Sequence, residues 1–351
     1  TVPHNFMKSR RVTPLASSMF ANADIAACIE SAMNDFTESF PEKSKMPLCG
    51  ERELSTPSYF AYIKIAEGCD NKCTYCAIPM IRGGYRSRPK ADILAEVKTL
   101  VAQGVKEFTL IAQDTTRYGT DNGEESQLPQ LIEEIAAIPG VEWLRALYCY
   151  PERVDERLLD TMKRLPNVCD YLDLPMQHIS QHILTDMNRT DTSAHIREVC
   201  RMFKERGMML RTTLMVGFPG ETDEDFNELM DFVKQTKFDR MGAFMFCPED
   251  GTRAAEMPNQ IPEEVKQERY DRLMTLQHGI SLAQNKARVG TTCRVLVEKK
   301  RGSRYVGRSE YEAPETDGSI FFGSDEPCEI GSFVNVKITG AKAYDLMGER
   351  I

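Results

Sequence analysis

A chain of 351 residues with 41% hydrophobic and 28% charged residues has the composition of a soluble globular protein, and its length suggests two or three domains, each able to bury a core. No apolar run approaches the roughly 18 residues of a membrane span, and a net charge of −9 provides no general attraction for nucleic acid. Eleven cysteines scattered without a pairing pattern, and no secretory leader, point to a reducing, cytoplasmic setting and away from a disulfide framework.

Residues 1–50 carry one helix-like stretch at 23–36, with Cys28 inside it and Cys49 beyond it. A β-rich run at 58–65 then leads into three thiols within eight residues, Cys69, Cys73 and Cys76. From there to residue 246 strand-like and helix-like patterns alternate. After Pro89, the apolar positions Ile93, Leu94, Val97, Leu100 and Val101 recur at helical spacing until Gly104 ends the run. Short strands are predicted at 107–112, 143–148, 171–174, 210–216 and 240–246, with helices at 131–138, 155–165, 193–205 and around 226–233. Six β/α units with short connections predict a parallel sheet, either wrapped as a barrel or open and doubly wound. In both, chemistry gathers at the carboxyl ends of the strands, where the cysteine loop falls. A charged linking helix is predicted at 262–289. Beyond it, alternating strands at 293–298, 305–308, 319–322 and 333–339, parted by Gly-, Asp- and Pro-rich turns, predict a small all-β barrel.

Cysteine thiolates are the ordinary ligands of iron–sulfur cubanes, normally four of them. Three leave one iron open to an outside ligand, and S-adenosylmethionine (SAM) binds such an iron through its amino and carboxylate groups. A structural zinc site closes four ligands, typically in paired units. Here the nearest other thiols, Cys49 and Cys149, are unpaired, and the five histidines lack zinc spacing. A ferredoxin-type run would continue to a fourth cysteine and proline, whereas Ala77-Ile-Pro79 follows Cys76. The spacing points to a 4Fe-4S cluster with one open iron, held by Cys69, Cys73 and Cys76; a zinc-binding scaffold is the non-enzymatic alternative.

These features together resemble the radical-SAM methylthiotransferase family. The likeness is carried by Ala66-Glu-Gly-Cys-Asp-Asn-Lys-Cys-Thr-Tyr-Cys-Ala-Ile-Pro79, Tyr85-Arg-Ser-Arg-Pro89, Val216-Gly-Phe-Pro-Gly-Glu-Thr222 and Pro248-Glu-Asp-Gly-Thr252, and extends from about residue 50 onward. It implies an α/β fold: a radical-SAM partial (β/α)6 barrel with its linking helix over residues 51–289, then a small all-β TRAM barrel over 290–351 that grips a macromolecular substrate. Ala112-Gln-Asp-Thr-Thr-Arg-Tyr-Gly119, Leu174-Pro-Met-Gln-His178, Tyr311-Glu-Ala-Pro-Glu-Thr-Asp-Gly318 and Tyr344-Asp-Leu-Met-Gly348 resemble one branch of the family. That branch methylthiolates the β-carbon of an aspartate in ribosomal protein twelve of the small subunit. The last module agrees, with nine Lys or Arg against ten Asp or Glu over residues 290–351, since its target would be a basic protein. The alternative is a tRNA adenosine methylthiotransferase, whose grip is expected to show a basic face.

The family also carries an amino-terminal domain with three further cysteines for a second 4Fe-4S cluster, where sulfur is delivered. The stretch 23–36 resembles only the last helix of that domain, and neither Cys28 nor Cys49 matches a ligand position. Residues 1–50 are accordingly expected to be a remnant of it plus a linker. The chain is expected to bind one cluster and to cleave SAM to a 5′-deoxyadenosyl radical without completing methylthio transfer. The resemblance further implies an electron donor such as flavodoxin or ferredoxin, a cytoplasmic location and no membrane partner.

It also suggests which residues meet SAM. Tyr75 is expected to flank the adenine, its plainer reading being a packed loop aromatic. Gln113 and Asp114 end the second strand, where many radical-SAM proteins hold the SAM amino group; the same pair suits turn initiation and helix capping. Arg145 and Gln177, near strand ends, are candidates for the methionine carboxylate or the ribose, or else satisfied internal polar groups. Val216 and Gly217, with Gly220 and Glu221, follow the fifth strand, where glycine lets backbone approach the adenine or only turns the chain. Arg82, Arg86 and Arg88 form a basic cluster suited to an anionic substrate group or to loop ion pairs.

Overall fold

The computed structural model describes residue 48, residue 50 and residues 53–351 apart from residue 124. The stretch 23–36, Cys28 and Cys49, and with them the expected remnant domain, lie outside the described residues. Strand β1 (Phe60–Lys64) is followed by the short β2 (Ala66–Glu67), helix α1 (Ile78–Arg82) and the short β3 (Arg86–Ser87). Helices and strands then alternate: α2 (Lys90–Ala102), β4 (Glu107–Ile111), α3 (Leu128–Ala136), β5 (Trp143–Ala146), α4 (Glu156–Arg164) and β6 (Val168–Asp173). They continue through α5 (Gln181–Asp186), α6 (Ser193–Arg206), β7 (Met209–Val216), α7 (Asp223–Thr236) and β8 (Arg240–Met245).

The main sheet runs β1-β4-β5-β6-β7-β8, each strand parallel to its predecessor. A doubly wound sheet reverses its order at a switch point. This one never reverses, so right-handed crossovers put the connecting helices α2, α3, α4, α6 and α7 on one side, the winding of a barrel left open between β8 and β1. Successive strand residues face opposite ways. One set, including Ile63, Phe108, Leu110, Leu144, Leu172 and Leu214, packs with Val97, Leu131, Leu158 and Phe203 of the helices. The alternate set forms the inner face, where Phe60, Trp143 and Tyr171 pack instead against Leu296 and Ala313 of the carboxy-terminal module.

Two elements begin earlier than the apolar pattern suggests. Helix α3 starts at Leu128 because Pro129 fits the first turn, where no intrahelical N–H is needed. Strand β6 starts at Val168.

The long helix α8 (Glu263–Ala287) leads into β9 (Thr292–Arg301), β10 (Arg304–Arg308), β11 (Ile320–Gly323), β12 (Phe333–Ala341) and β13 (Leu346–Arg350). These close a barrel in the order β10-β11-β13-β12-β9 around Val295, Val297, Ile320, Phe322, Val336 and Ile338. Strand β13, absent from the expected elements, closes it by running parallel to β11 and antiparallel to β12. Among the described residues, no helix is long and apolar enough to cross a membrane.

Between β10 and β11 an acidic loop, residues 309–318, lies on the inner face of the main sheet. Tyr171 Oη donates to Asp317 at 2.6 Å, Tyr62 Oη to Glu315 at 3.0 Å, and Arg145 Nη1 to the Glu310 carbonyl at 2.8 Å. Just before the loop, Arg308 grips Glu107 of β4 with two nitrogens, at 2.6 and 3.1 Å. Glu312 sits between Arg240 and Arg288.

Candidate cluster and SAM site

The cysteine loop leaves the carboxyl end of β1 and is pinched at its neck. Ala66 and Glu67 pair antiparallel with Ser87 and Arg86, and the Cys69 N–H donates to the Gly83 carbonyl at 3.1 Å. Gly68 makes that approach possible: its φ is +79°, and a Cβ there would lie 2.7 Å from the Gly83 oxygen and closer still to that of Gly84. Buried Glu67 ties the neck to Lys64 at 3.2 Å and Arg82 at 3.3 Å.

Three further elements hold the loop. Asn71 Nδ2 donates to Asp114 at 2.8 Å, after β4. The Thr74 N–H donates to the Met187 carbonyl at 3.0 Å and its hydroxyl to the Asp186 carbonyl at 2.9 Å, at the end of α5. The Ala254 N–H donates to the Thr74 carbonyl at 2.9 Å.

On this frame Cys69, Cys73 and Cys76 are all free and half-buried. Burial pushes the Cys69 thiol up to about 11, and raises Cys76 as well. Such thiols ionise only when a cation takes the place of the proton. No three His, Cys, Asp or Glu side chains among the described residues are grouped to chelate one ion. The fit to a cluster therefore rests on the donor set: three free thiols spread along one constrained loop.

Gln113 reinforces that fit, because its Oε1 is buried without a hydrogen-bond partner. A buried acceptor of this kind calls for a donor, and an ammonium group would supply one. Asp114 differs from its neighbour. Its carboxylate already accepts from Asn71 and, at 2.5 Å, from Thr116 Oγ1, and burial raises its pKa. It serves the loop more directly than a ligand.

Tyr75 is half-buried, its ring edge-on to Phe218 with centroids 6.4 Å apart, which joins the cysteine loop to the turn after β7. On that turn Val216 is fully buried and its carbonyl accepts from the Phe246 N–H at 2.9 Å. Gly217 has φ +73°, and a Cβ there would meet Cδ of Lys266 at 3.0 Å and its Cγ more closely. The close approach at this glycine is thus made by Lys266 of α8. Gln177, also at positive φ (+67°), bridges to β7 through its N–H to Thr213 (2.9 Å) and its carbonyl from Met215 (2.7 Å).

Arg145 is not brought to the cysteine loop. It pairs in register with Thr109, within the strand and short of its end, so its side chain enters the inner face. There it is fully buried between Glu107 (3.5 Å), the Glu310 carbonyl and the Tyr171 ring (4.7 Å). Arg82 and Arg88 pair with Glu67 and Glu96, the loop ion pairs of the plainer reading.

Sequence reasoning did not find Tyr150 or Arg189. The Tyr150 hydroxyl lies 3.6 Å from Cys73 Sγ, and the Arg189 guanidinium stacks 3.9 Å from the Tyr150 ring. Nothing in periodicity or spacing links residues 73, 150 and 189.

Residues 63–233 match the Radical SAM superfamily and residues 289–351 the TRAM domain. The chain is 54% identical over 303 residues to the ribosomal protein uS12 methylthiotransferase RimO of Desulforamulus reducens, covering 85% of this chain and 68% of that protein. It is 48% identical over 305 residues to the RimO of Parabacteroides distasonis, covering 86% of this chain and 71% of that protein. Among solved structures, the radical S-adenosylmethionine methyltransferase TsrM from Kitasatospora setae matches with a TM-score of 0.48 at 20% identity. That match covers 56% of this chain and 38% of the other.

Proposed function

This chain belongs to the RimO family of radical-SAM methylthiotransferases, and from that premise we propose that it methylthiolates the β-carbon of an aspartate in ribosomal protein uS12. The observation that carries the reading is the clamped loop: three free thiols fixed at the carboxyl end of β1, beside an unpartnered Gln113 oxygen. In this reading Cys69, Cys73 and Cys76 hold a 4Fe-4S cluster, Gln113 accepts from the SAM ammonium, and Tyr75 with the Val216–Gly217 turn walls the adenine. Gln177, at the mouth formed by β6 and β7, is assigned to the ribose or the methionine carboxylate, and Arg145 to the inner-face contact with Glu107 and the Glu310 carbonyl.

The cluster, when bound, supplies the electron for reductive cleavage of SAM, and so the means of taking hydrogen from an unactivated carbon. The chain's own residues bind, orient and shield. Gly68 and the Asp114–Asn71 bond hold the thiols in one arrangement, and the strand walls keep water from the reacting carbon.

We assign residues 51–289 to this chemistry and residues 290–351 to gripping uS12, free or in the assembled subunit. A low-potential carrier such as flavodoxin or ferredoxin delivers the electron, in the cytoplasm. In this reading Cys69, Cys73 and Cys76 hold one cluster, and completing methylthio transfer takes a second that these cysteines do not supply.

Mass spectrometry of uS12 after incubation with enzyme carrying both clusters, SAM and reductant tests the activity: a methylthio group on one aspartate is expected. Tight, steeply salt-dependent tRNA binding with none to uS12 would instead support the tRNA reading. The 351-residue chain, assayed alone, should release 5′-deoxyadenosine without methylthiolated product; complete transfer by it would refute the need for a second cluster.

A further inference from the structure

Tyr150 follows β5 and reaches the cysteine loop at Cys73. It is buried, its N–H donates to Thr116 Oγ1 at 3.1 Å, and its hydroxyl lies 3.6 Å from Cys73 Sγ. In a free thiol either atom of that pair can donate. A cysteine sulfur that ligates iron carries no proton, so the phenol becomes the donor.

The ring also carries a cation on its face. Arg189 lies 3.9 Å over it, and Arg189 Nη2 donates to Asp191 at 2.9 Å. Both members of that ion pair are almost wholly buried, and neither Arg189 Nε nor Asp191 Oδ1 has a hydrogen-bond partner among the described residues. Burying such a pair is expensive unless geometry is specified in return. A guanidinium held over an aromatic face restrains the ring and draws on its electron density, which strengthens the hydroxyl as a donor.

We propose that Tyr150, oriented by the Arg189–Asp191 pair, is a positioning residue that hydrogen-bonds the Cys73 thiolate and makes the bound cluster easier to reduce. Hydrogen bonds to ligand sulfurs and nearby charge are among the factors that set cluster potentials. One electron enters from a low-potential carrier protein, which is oxidised as the cluster is reduced. No proton moves and no bond in the chain changes. The phenol and the guanidinium only stabilise the added negative charge. The inference rests on the assignment of Cys69, Cys73 and Cys76 as cluster ligands.

The test is an electron paramagnetic resonance redox titration of reconstituted protein without SAM, beside iron analysis. Wild type should hold about four irons per chain. Tyr150→Phe, which deletes only the hydroxyl, should keep its iron and titrate about 59 mV lower, the one-electron equivalent of a tenfold fall in the reduction constant. Arg189→Gln, which leaves the phenol, should shift the midpoint the same way by a smaller step. An unchanged midpoint in Tyr150→Phe overturns the inference while the ligand assignment stands. Should that variant lose its iron, Arg189→Gln decides on the same terms. A wild type that binds no iron overturns the ligand assignment, and this inference with it.

Discussion

Asp114 accepts a hydrogen bond from the Asn71 side chain at 2.8 Å, so the end of the second sheet strand grips the interior of the cysteine loop. Tyr85 Oη adds a bond to the Asp114 carbonyl at 3.0 Å, and Arg117 reaches Asn71 Oδ1 at 3.3 Å. The loop is therefore oriented by β4 as much as by β1, from which it springs.

Asp114→Ala leaves Asn71 and Thr116 without their acceptor, at about 1–3 kcal/mol for each group left buried and unpaired. Iron bound per chain after anaerobic reconstitution should fall well below wild type. Full iron in the variant would show that the loop does not need this tether.

Gly68→Ala should be more damaging to the loop than to the fold. A methyl group at φ +79° meets the Gly83 and Gly84 carbonyls, so the neck must open, while the sheet contacts of β1 are untouched. Circular dichroism should remain near wild type and iron retention should be lost; a variant that keeps its iron contradicts the pinched neck.

Cys69→Ala, Cys73→Ala and Cys76→Ala should each abolish 5′-deoxyadenosine release, measured by chromatography under reducing, oxygen-free conditions. Turnover retained in any one of them removes that residue from the ligand set.

How the main sheet winds was only half legible beforehand. Alternation of Phe108 and Leu110 with polar neighbours reveals a strand, but a barrel and a doubly wound sheet demand the same alternation. Strand order separates them, and order is a tertiary fact. Spacing exposed the three thiols because one loop carries them all. Arg145 shows the opposite case: whether a strand arginine reaches the site or the inner face depends on how far the strand runs, and β5 ends at Ala146, with Tyr148 already beyond it at φ +58°. Tyr150 and Arg189 meet Cys73 only after three crossovers have folded. Residues 311–318 were visible as a motif, but their seat on another module was not.

Glu312 should give that seat an acid-sensitive step. Burial alone would raise its pKa, but Arg288 and Arg240 outweigh burial and hold the carboxyl at about 2, below the ordinary 4.5. A carboxyl depressed in the folded state contributes stability above its unfolded pKa and loses it as pH falls toward the folded value. The melting temperature should therefore drop between about pH 4.5 and pH 2, on the order of 3 kcal/mol being at stake. Glu312→Gln should flatten that stretch of the pH profile; an unchanged slope would place the acid sensitivity elsewhere.

Glu107→Gln tests the pair at the centre of the same contact. Arg308 and Arg145 would share a neutral amide inside a dry interface, and breaking a buried pair from one side costs about 3–5 kcal/mol. Denaturant unfolding at neutral pH should report a loss of that size, and a loss within error of zero would mean that water reaches the pair.

The wedge of residues 309–318 makes the two halves of this molecule poor candidates for separation. A protein cut after Ala287 would bare Phe60, Trp143 and Tyr171 to solvent and leave Arg145, Arg211 and Arg240 without Glu310, Asp317 and Glu312. Inactivity or precipitation of such a fragment would reflect an unsupported catalytic half, whatever the removed portion contributes to holding a target.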